Sequence, residues 1–264
     1  MKWYRKRAGR ILPPYELFLS VLALVYILRN LSFPLIQWLT CIFGVQGAVV
    51  GVLGAEQTWF ITPLLIGYLL TPLLSTILDK ITDRTIYIKI VCVVFLLVPC
   101  ILVFFPTVSI FTVGVQVCFY CISYVLGRTY DTWKLMLKPD ARYLVIMVFT
   151  FAIRLAGRIL WDGSRIYDCI VVGYTQYIVA ICVFLLFWSF LNERKPGVIV
   201  QWICNISFEV YLYHYMFIVG PLCLMRVTNS WVLNSILVLL ITAIVATLAN
   251  KGVSFVRQQI SGNR

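Results

Sequence analysis

The only histidine of the chain, His214, lies in an apolar run that also carries several polar side chains. On a helix these side chains form two stripes, Asn205, Glu209 and Tyr213 on one and Ser207, Tyr211 and His214 on the other. Because histidine exchanges protons near neutral pH, His214 is a candidate general base toward a hydroxyl, with Glu209 beside it in the catalytic role. The alternative is a tyrosine–histidine–carboxylate network that only locks helix packing.

Three further groups of polar residues are candidates for binding. Arg7 and Arg10 are three residues apart, so on a helix they share a face, and two guanidinium groups can hold a phosphate. The same pair can instead contact lipid phosphates as a topology signal. The second group is the segment 59–74, an apolar run that contains two prolines and a glycine. This pattern permits a kinked helix that lines a cavity.

Arg154 and Arg158 are four residues apart, and Arg165 follows seven residues later. If one helix continues through Gly163, the three arginines form a single stripe. Such a stripe can bind an anionic acceptor or stabilise a thioester oxyanion, together with Tyr211 and Tyr213. The alternative is that the arginines reach out to lipid headgroups.

The elements that must position these residues are membrane helices. Apolar residues make up 62% of the 264 residues and charged residues 12%, which is unlike a soluble domain. Eight runs are long enough to span a bilayer, at about 13–29, 58–77, 86–105, 108–126, 143–160, 174–191, 198–222 and 231–250. A run at 34–53 is Gly-rich and polar at its centre, so we expect it to be interfacial or re-entrant.

The distribution of basic residues predicts the topology. With eight spans and the N-terminus in the cytoplasm, 17 of the 22 Lys and Arg residues lie inside and 5 outside, as the positive-inside rule requires. The sequence therefore predicts an all-α polytopic bundle with both termini cytoplasmic. It is one membrane domain over residues 1–264, with a basic arm at 1–12 and a tail at 251–264.

Charge and cysteine content argue against two other classes of protein. The net charge of +12 is explained by topology, and no basic run interleaved with aromatic residues suggests nucleic acid. Cys118 and Cys121 have C-x-x-C spacing, but no second pair or nearby histidine completes a zinc site. We expect no metal and no nucleic acid partner.

Three motif blocks lie in order along the chain. The first is Arg7-x-x-Arg10-Ile11-x-Pro13-Pro14-Tyr15. The second is Trp59-x-Ile61-Thr62 followed by Tyr68-Leu69-Leu70-x-Pro72, and its motif positions are Trp59, Tyr68 and Pro72. The third is Ile206-Ser207-Phe208-x-Val210-Tyr211-Leu212-x-His214. Together they resemble the acyltransferase type 3 family of polytopic membrane O-acyltransferases, in which the first block is similar to a basic loop entering a span and the third to a late helix.

The resemblance implies transfer of an acyl group, expected to be acetyl, from cytoplasmic acyl-CoA to a hydroxyl of a cell-surface carbohydrate or related acceptor. Arg7 and Arg10 would then bind the phosphates of the co-substrate, and no bound cofactor is implied. The implied location is the bacterial cytoplasmic membrane, where the chain would contact the lipid bilayer, acyl-CoA and a glycan.

The sequence departs from the family in two places. The family has two further spans before the basic loop, and the first carries an arginine and the presumed catalytic histidine. Met1 lies just before the loop, so the resemblance predicts an N-terminally shortened form. His214 matches the family's late helix and not the position of its presumed catalytic histidine. Leu64 also stands where the family usually has a glutamate.

Two other functions fit the same residues. One is a transporter or flippase of lipid-linked sugars that uses the arginines and a polar cavity without any acyl transfer. The other is an inactive paralogue that binds and positions an active homologue.

Overall fold

The computed structural model is helical throughout, with no strand among the residues that it describes: 2–48, 51–81, 83–102, 104, 108–130, 141–161, 163–164, 166–191 and 195–262. In chain order the helices are α1 (Lys2–Leu28), α2 (Leu35–Ile42), α3 (Ile61–Lys80), α4 (Arg84–Leu102), α5 (Val108–Arg128), α6 (Arg142–Trp161), α7 (Val172–Leu191), α8 (Val198–Ile218) and α9 (Trp231–Gly262). Short 3-10 turns cover Gln46–Ala48 and Glu56–Phe60, and a π-turn covers Tyr167–Val171.

Apolar side chains face outward on these helices, as expected for a protein dissolved in lipid. Ile36, Ile159 and Leu239 are 74%, 76% and 68% exposed. Within the described residues, four helical stretches are long and apolar enough to cross a membrane: Lys6–Leu28, Glu56–Lys80, Arg142–Trp161 and Trp231–Gln259. The protein is thus an all-helical membrane protein. The count of eight spans and the cytoplasmic position of both termini stay predictions.

The chain forms two compact units. The first contains residues 1–62 and 197–264, and the second contains residues 63–196. In the first unit, α8 packs along α9 and α1 contacts both. Its core is aromatic: the rings of Phe18 and Tyr213 meet edge to face at 5.2 Å, and both side chains are buried.

The second unit packs its helices in sequential pairs, α4 with α5 and α6 with α7. The ring of Phe119 on α5 stacks on Tyr177 at 4.0 Å, beside the buried Val115 and Ile122. Near one end of α3, Asp79 forms an exposed ion pair with Arg128 at 3.5 Å. Such exposed pairs contribute little, so apolar packing stabilises this unit.

Residues 34–53 do not form one continuous helix. The helix α2 has only eight residues and ends at Ile42, after which Gly44 has φ +67°. Eight residues rise about 12 Å at 1.5 Å per residue, which is far short of a bilayer core of about 30 Å. Gly54 has φ +88°, and a Cβ there would lie 2.8 Å from Pro221 Cδ, so the segment also needs glycine to pass close to the loop after α8.

Candidate active site

From Glu209 onward, the polar side chains of α8 divide between a buried and a half-buried face, all within the first unit, whereas Asn205 and Ser207 are exposed. Glu209 and Tyr213 are 3% and 1% exposed, while Tyr211 and His214 are half-buried. The sequence predicts these two stripes, because residues four apart along a helix share a face. The two faces have different chemistry, since one is tied up in packing and the other is accessible.

His214 is held by its own helix. Its Nδ1 lies 2.7 Å from the carbonyl oxygen of Tyr211, which can only accept a hydrogen bond. Nδ1 therefore carries the proton in the neutral ring, and Nε2 carries the lone pair. Among the described residues Nε2 has no hydrogen-bond partner, and the remaining ring contacts are with Tyr211 and Tyr215. This is the tautomer that a general base requires.

Glu209 is engaged elsewhere. Its Oε1 accepts a hydrogen bond of 2.9 Å from Asn250 Nδ2 on α9, and the same amide donates to the carbonyl oxygen of Asn205 at 3.1 Å. No hydrogen bond joins Glu209 to His214 in the described part of the chain. The structure thus separates the two side chains that the sequence analysis grouped as catalytic, and it places Glu209 between two helices.

A polar turn outside α8 contacts the same helix. Gln57 Nε2 donates to the carbonyl oxygen of Leu212 at 2.5 Å, and the hydroxyl of Tyr211 donates to the carbonyl oxygen of Gln57. The ring of Phe60 packs edge to face on Tyr211 at 4.5 Å. These contacts fix the turn Glu56–Phe60 within one helical turn of His214. Gln57 was missed by the sequence analysis, although its polarity within an apolar stretch was a usable signal.

A second glutamine anchors the irregular segment between α2 and α3. Gln46 Nε2 lies 2.8 Å from the hydroxyl of Tyr15 and 2.8 Å from the carbonyl oxygen of Thr58. The Tyr15 hydroxyl in turn donates to the carbonyl oxygen of Cys41 at 2.7 Å. Cys41 is fully buried, and burial raises the pKa of its thiol, so the group stays protonated. The network ties α1, α2 and the turn at Thr58 together.

Two buried acceptors in this region lack a donor. Within the described residues neither Gln46 Oε1 nor Gln57 Oε1 has a hydrogen-bond partner, and both side chains are more than nine-tenths buried. An unpaired buried acceptor costs about 1–3 kcal/mol. Each oxygen is therefore a place where a water or a bound hydroxyl can donate a hydrogen bond.

The basic arm is the first turns of α1. Arg7 and Arg10 are exposed and three residues apart on this helix, and the guanidinium of Arg7 lies 5.6 Å from the centre of the Trp3 ring. Two cationic groups on one side of an exposed helix end can bind a phosphorylated molecule.

Two prolines inside α1 explain how the arm is fixed. Pro13 and Pro14 have no N–H, so the carbonyl oxygens four residues earlier, on Gly9 and Arg10, lose their helical donors. Arg257 Nη2 of α9 donates to these two oxygens, at 2.7 and 3.3 Å. The helix α1 begins at Lys2 and continues through both prolines.

The second motif block has residues in both units. Trp59 is half-buried in the turn Glu56–Phe60 of the first unit. Tyr68 and Pro72 lie in the second unit on α3, where the Tyr68 ring packs edge to face on Tyr120 at 6.0 Å. A Cβ at Gly67 would lie 2.5 Å from the Tyr120 ring, so this glycine allows close packing of α3 and α5.

The arginine stripe is shorter than expected. Arg154 is half-buried and Arg158 exposed on α6, in the second unit. The condition for a stripe of three arginines, one helix through Gly163, is not met, because α6 ends at Trp161 and Gly163 has φ +74°, a conformation typical of the residue after a helix end. Arg165 lies outside the described residues. The carbonyl oxygen of Arg154 accepts a hydrogen bond from Tyr167 at 3.2 Å.

The comparison with known families identifies the family of the chain. The model of the acyltransferase type 3 family, described as an acyltransferase domain, matches residues 1–251. The chain therefore belongs to this family, and it is an integral membrane acyltransferase. No curated protein and no solved structure matches the sequence.

Proposed function

We propose that the protein transfers an acyl group, acetyl in the simplest case, from acyl-CoA to a hydroxyl of a cell-surface carbohydrate or related acceptor. The family supplies the reaction class. The observation that carries the proposal is the half-buried His214, whose Nδ1 bonds to a backbone carbonyl and whose Nε2 lone pair is available. This is a base without a carboxylate partner, oriented by the main chain.

The proposed reaction has two steps. His214 Nε2 removes the proton from the acceptor hydroxyl while its oxygen attacks the thioester carbonyl carbon. The tetrahedral intermediate then collapses, the carbon–sulfur bond breaks, and the CoA sulfur takes the proton back from the imidazolium. The products are an ester and free CoA thiol, so no external acid or oxidant is needed.

The turn that contains Gln57 is the proposed binding region for the hydroxyl-bearing acceptor. Gln57 Oε1 has no donor among the described residues, and the Gln57 amide is anchored at Leu212, two residues from His214. This oxygen is enclosed in the structure, so an acceptor hydroxyl can donate to it only when the turn opens. The hydroxyl of Tyr211 donates to the carbonyl oxygen of Gln57, so in this arrangement Tyr211 positions the turn. Tyr211 can stabilise an oxyanion only if this hydrogen bond opens. The roles of Tyr213, Arg154 and Arg158 toward acceptor or oxyanion stay predictions.

We propose that the acyl donor, acyl-CoA, binds at the basic arm. Arg7 and Arg10 are exposed cations at an end of α1 that Arg257 holds in helical form. A guanidinium pair matches the diphosphate of CoA better than lysine would, because each fork can bind two oxygens. In the topology that the basic residues predict, the proposed donor site lies on the cytoplasmic face of the bacterial membrane.

The experiment is a transfer assay with purified protein, labelled acetyl-CoA and a carbohydrate acceptor. We expect His214→Asn to lower kcat by about 10²–10⁴-fold, the usual range for a general base. The asparagine amide can still donate to the Tyr211 carbonyl oxygen, so folding is kept. Affinity for CoA should be unchanged in this variant, whereas Arg10→Ala should weaken CoA binding.

The controls separate this proposal from its alternatives. Tyr215→Phe keeps the ring beside His214 and should retain full activity. Full transfer by His214→Asn would remove the base role from His214. Movement of a lipid-linked sugar without acyl transfer would instead favour a transporter.

A further inference from the structure

A cleft of about 430 Å³ lies between α1 and α2 in the first unit. Its walls are mostly apolar, with Leu12, Leu19 and Ala23 from α1 and Leu39 and Ile42 from α2. These α1 residues follow one another at helical spacing, so the cleft extends along the helix for about three turns. The volume and shape suit a hydrocarbon chain.

The helices that form the cleft present apolar side chains outward. Ile36 and Ile42 of α2 are 74% and 59% exposed, and Leu24 and Ile27 of α1 are 54% and 65% exposed. α1 contains the candidate span Lys6–Leu28. The surroundings of the cleft are therefore lipid, which makes a lipid the occupant that such a site meets first.

Apart from the indole N–H of Trp38, which is enclosed, the polar groups of the cleft offer acceptor atoms. Tyr15 already donates to Cys41 and accepts from Gln46. The indole nitrogen of Trp38 is enclosed, with no partner among the described residues. Ser20 donates its hydroxyl proton to the carbonyl oxygen of Glu16 at 2.8 Å, so only its lone pairs remain.

Glu16 is the charged group of the cleft. Its carboxylate is exposed, and within the described residues it has no ion pair or side-chain hydrogen bond. No basic side chain lines the cleft. This exposed carboxylate is therefore open to a cationic partner from outside the chain.

We propose that the cleft binds a phospholipid with a primary ammonium headgroup, phosphatidylethanolamine. The ammonium has three N–H donors and no acceptor, which complements the carboxylate of Glu16 and the oxygen of Ser20. Glu16 lies six residues beyond Arg10, or about 9 Å along the helix at 1.5 Å per residue, near the level of lipid headgroups. One acyl chain of the lipid follows α1 toward Ala23. This site is independent of acyl transfer.

The test is native mass spectrometry of the full chain released from nanodiscs that contain phosphatidylethanolamine, phosphatidylcholine and phosphatidylglycerol in equal amounts. We expect retention of phosphatidylethanolamine over phosphatidylcholine, whose ammonium has no N–H, and over phosphatidylglycerol, which has no cation. Glu16→Gln should reduce the preference for phosphatidylethanolamine by roughly tenfold, the size of one charge-assisted hydrogen bond. Ala23→Phe, which fills the cleft, should lower retention of all three lipids.

Two matched variants control for general effects. Asp79→Asn removes a carboxylate in the second unit, and Leu239→Phe enlarges an exposed side chain of α9, so both should leave retention unchanged. Equal retention of phosphatidylethanolamine by wild type and Glu16→Gln would overturn the proposal. A stable dimer that Ala23→Phe converts to a monomer would also overturn it, because a second copy would then fill the cleft.

Discussion

The proton of a neutral histidine can lie on either ring nitrogen, and in His214 the backbone decides which. A carbonyl oxygen at 2.7 Å from Nδ1 leaves Nε2 as the basic atom. In catalytic triads a carboxylate performs this orienting task and also stabilises the imidazolium. In this protein the carboxylate nearest in sequence, Glu209, is bonded to Asn250 instead. The base is therefore oriented by the main chain without an adjacent negative charge.

This division of roles predicts opposite results for two changes at Glu209. Glu209→Gln keeps an oxygen that accepts from Asn250, so transfer activity should stay within about threefold of wild type. Glu209→Leu removes the acceptor between α8 and α9 and should destabilise the protein by about 1–3 kcal/mol. Thermal unfolding in detergent and the transfer rate, measured on both variants, check the prediction. A large loss of kcat in a stable Glu209→Gln protein would instead make Glu209 a catalytic residue.

At the scale of elements, the arm at the start of α1 depends on a distant helix. The carbonyl oxygens freed by Pro13 and Pro14 are bonded to Arg257, which lies 248 residues from Gly9 in the chain. In a membrane protein such freed groups need partners, and a guanidinium supplies several donors at once. The end of α9 thereby holds the segment that carries Arg7 and Arg10.

Removal of this support should loosen the arm. We expect Arg257→Met to raise hydrogen exchange over residues 2–12 and to weaken CoA binding by about tenfold, the effect of losing a charge-assisted hydrogen bond. Arg257→Lys can still donate to one carbonyl oxygen and should recover part of both effects. Arg226→Met removes an exposed arginine outside this contact and is the control. Unchanged exchange in Arg257→Met would show that the prolines do not need this partner.

Much of the helical framework could be predicted from the sequence, because apolar runs of spanning length are a local signal. The run at 143–160 became α6, and the run at 34–53, expected to be interfacial or re-entrant, contains the eight-residue helix α2, which ends at Ile42. The contacts that build the site could not be predicted in this way. The bonds from Gln57 to α8 join residues about 155 positions apart, and without homologues nothing in either segment indicates its partner.

At the scale of the whole molecule, the membrane topology and the donor site depend on each other. The basic residues place the arm in the cytoplasm, and the arm carries the cations proposed for the donor. Reaction and topology must therefore agree: acyl-CoA has to reach the protein from the face that exposes residues 1–12. This is a stricter requirement than activity in detergent, where both faces are open to the solvent.

The most direct measurement is transfer from labelled acetyl-CoA added only outside liposomes that contain the purified protein. The fraction of molecules with the arm outside is measured by a membrane-impermeant maleimide on Lys6→Cys, with the unsubstituted protein as background. We predict a transfer rate proportional to that fraction and abolished by His214→Asn. A rate that follows the opposite orientation, or that persists in His214→Asn, would contradict the account.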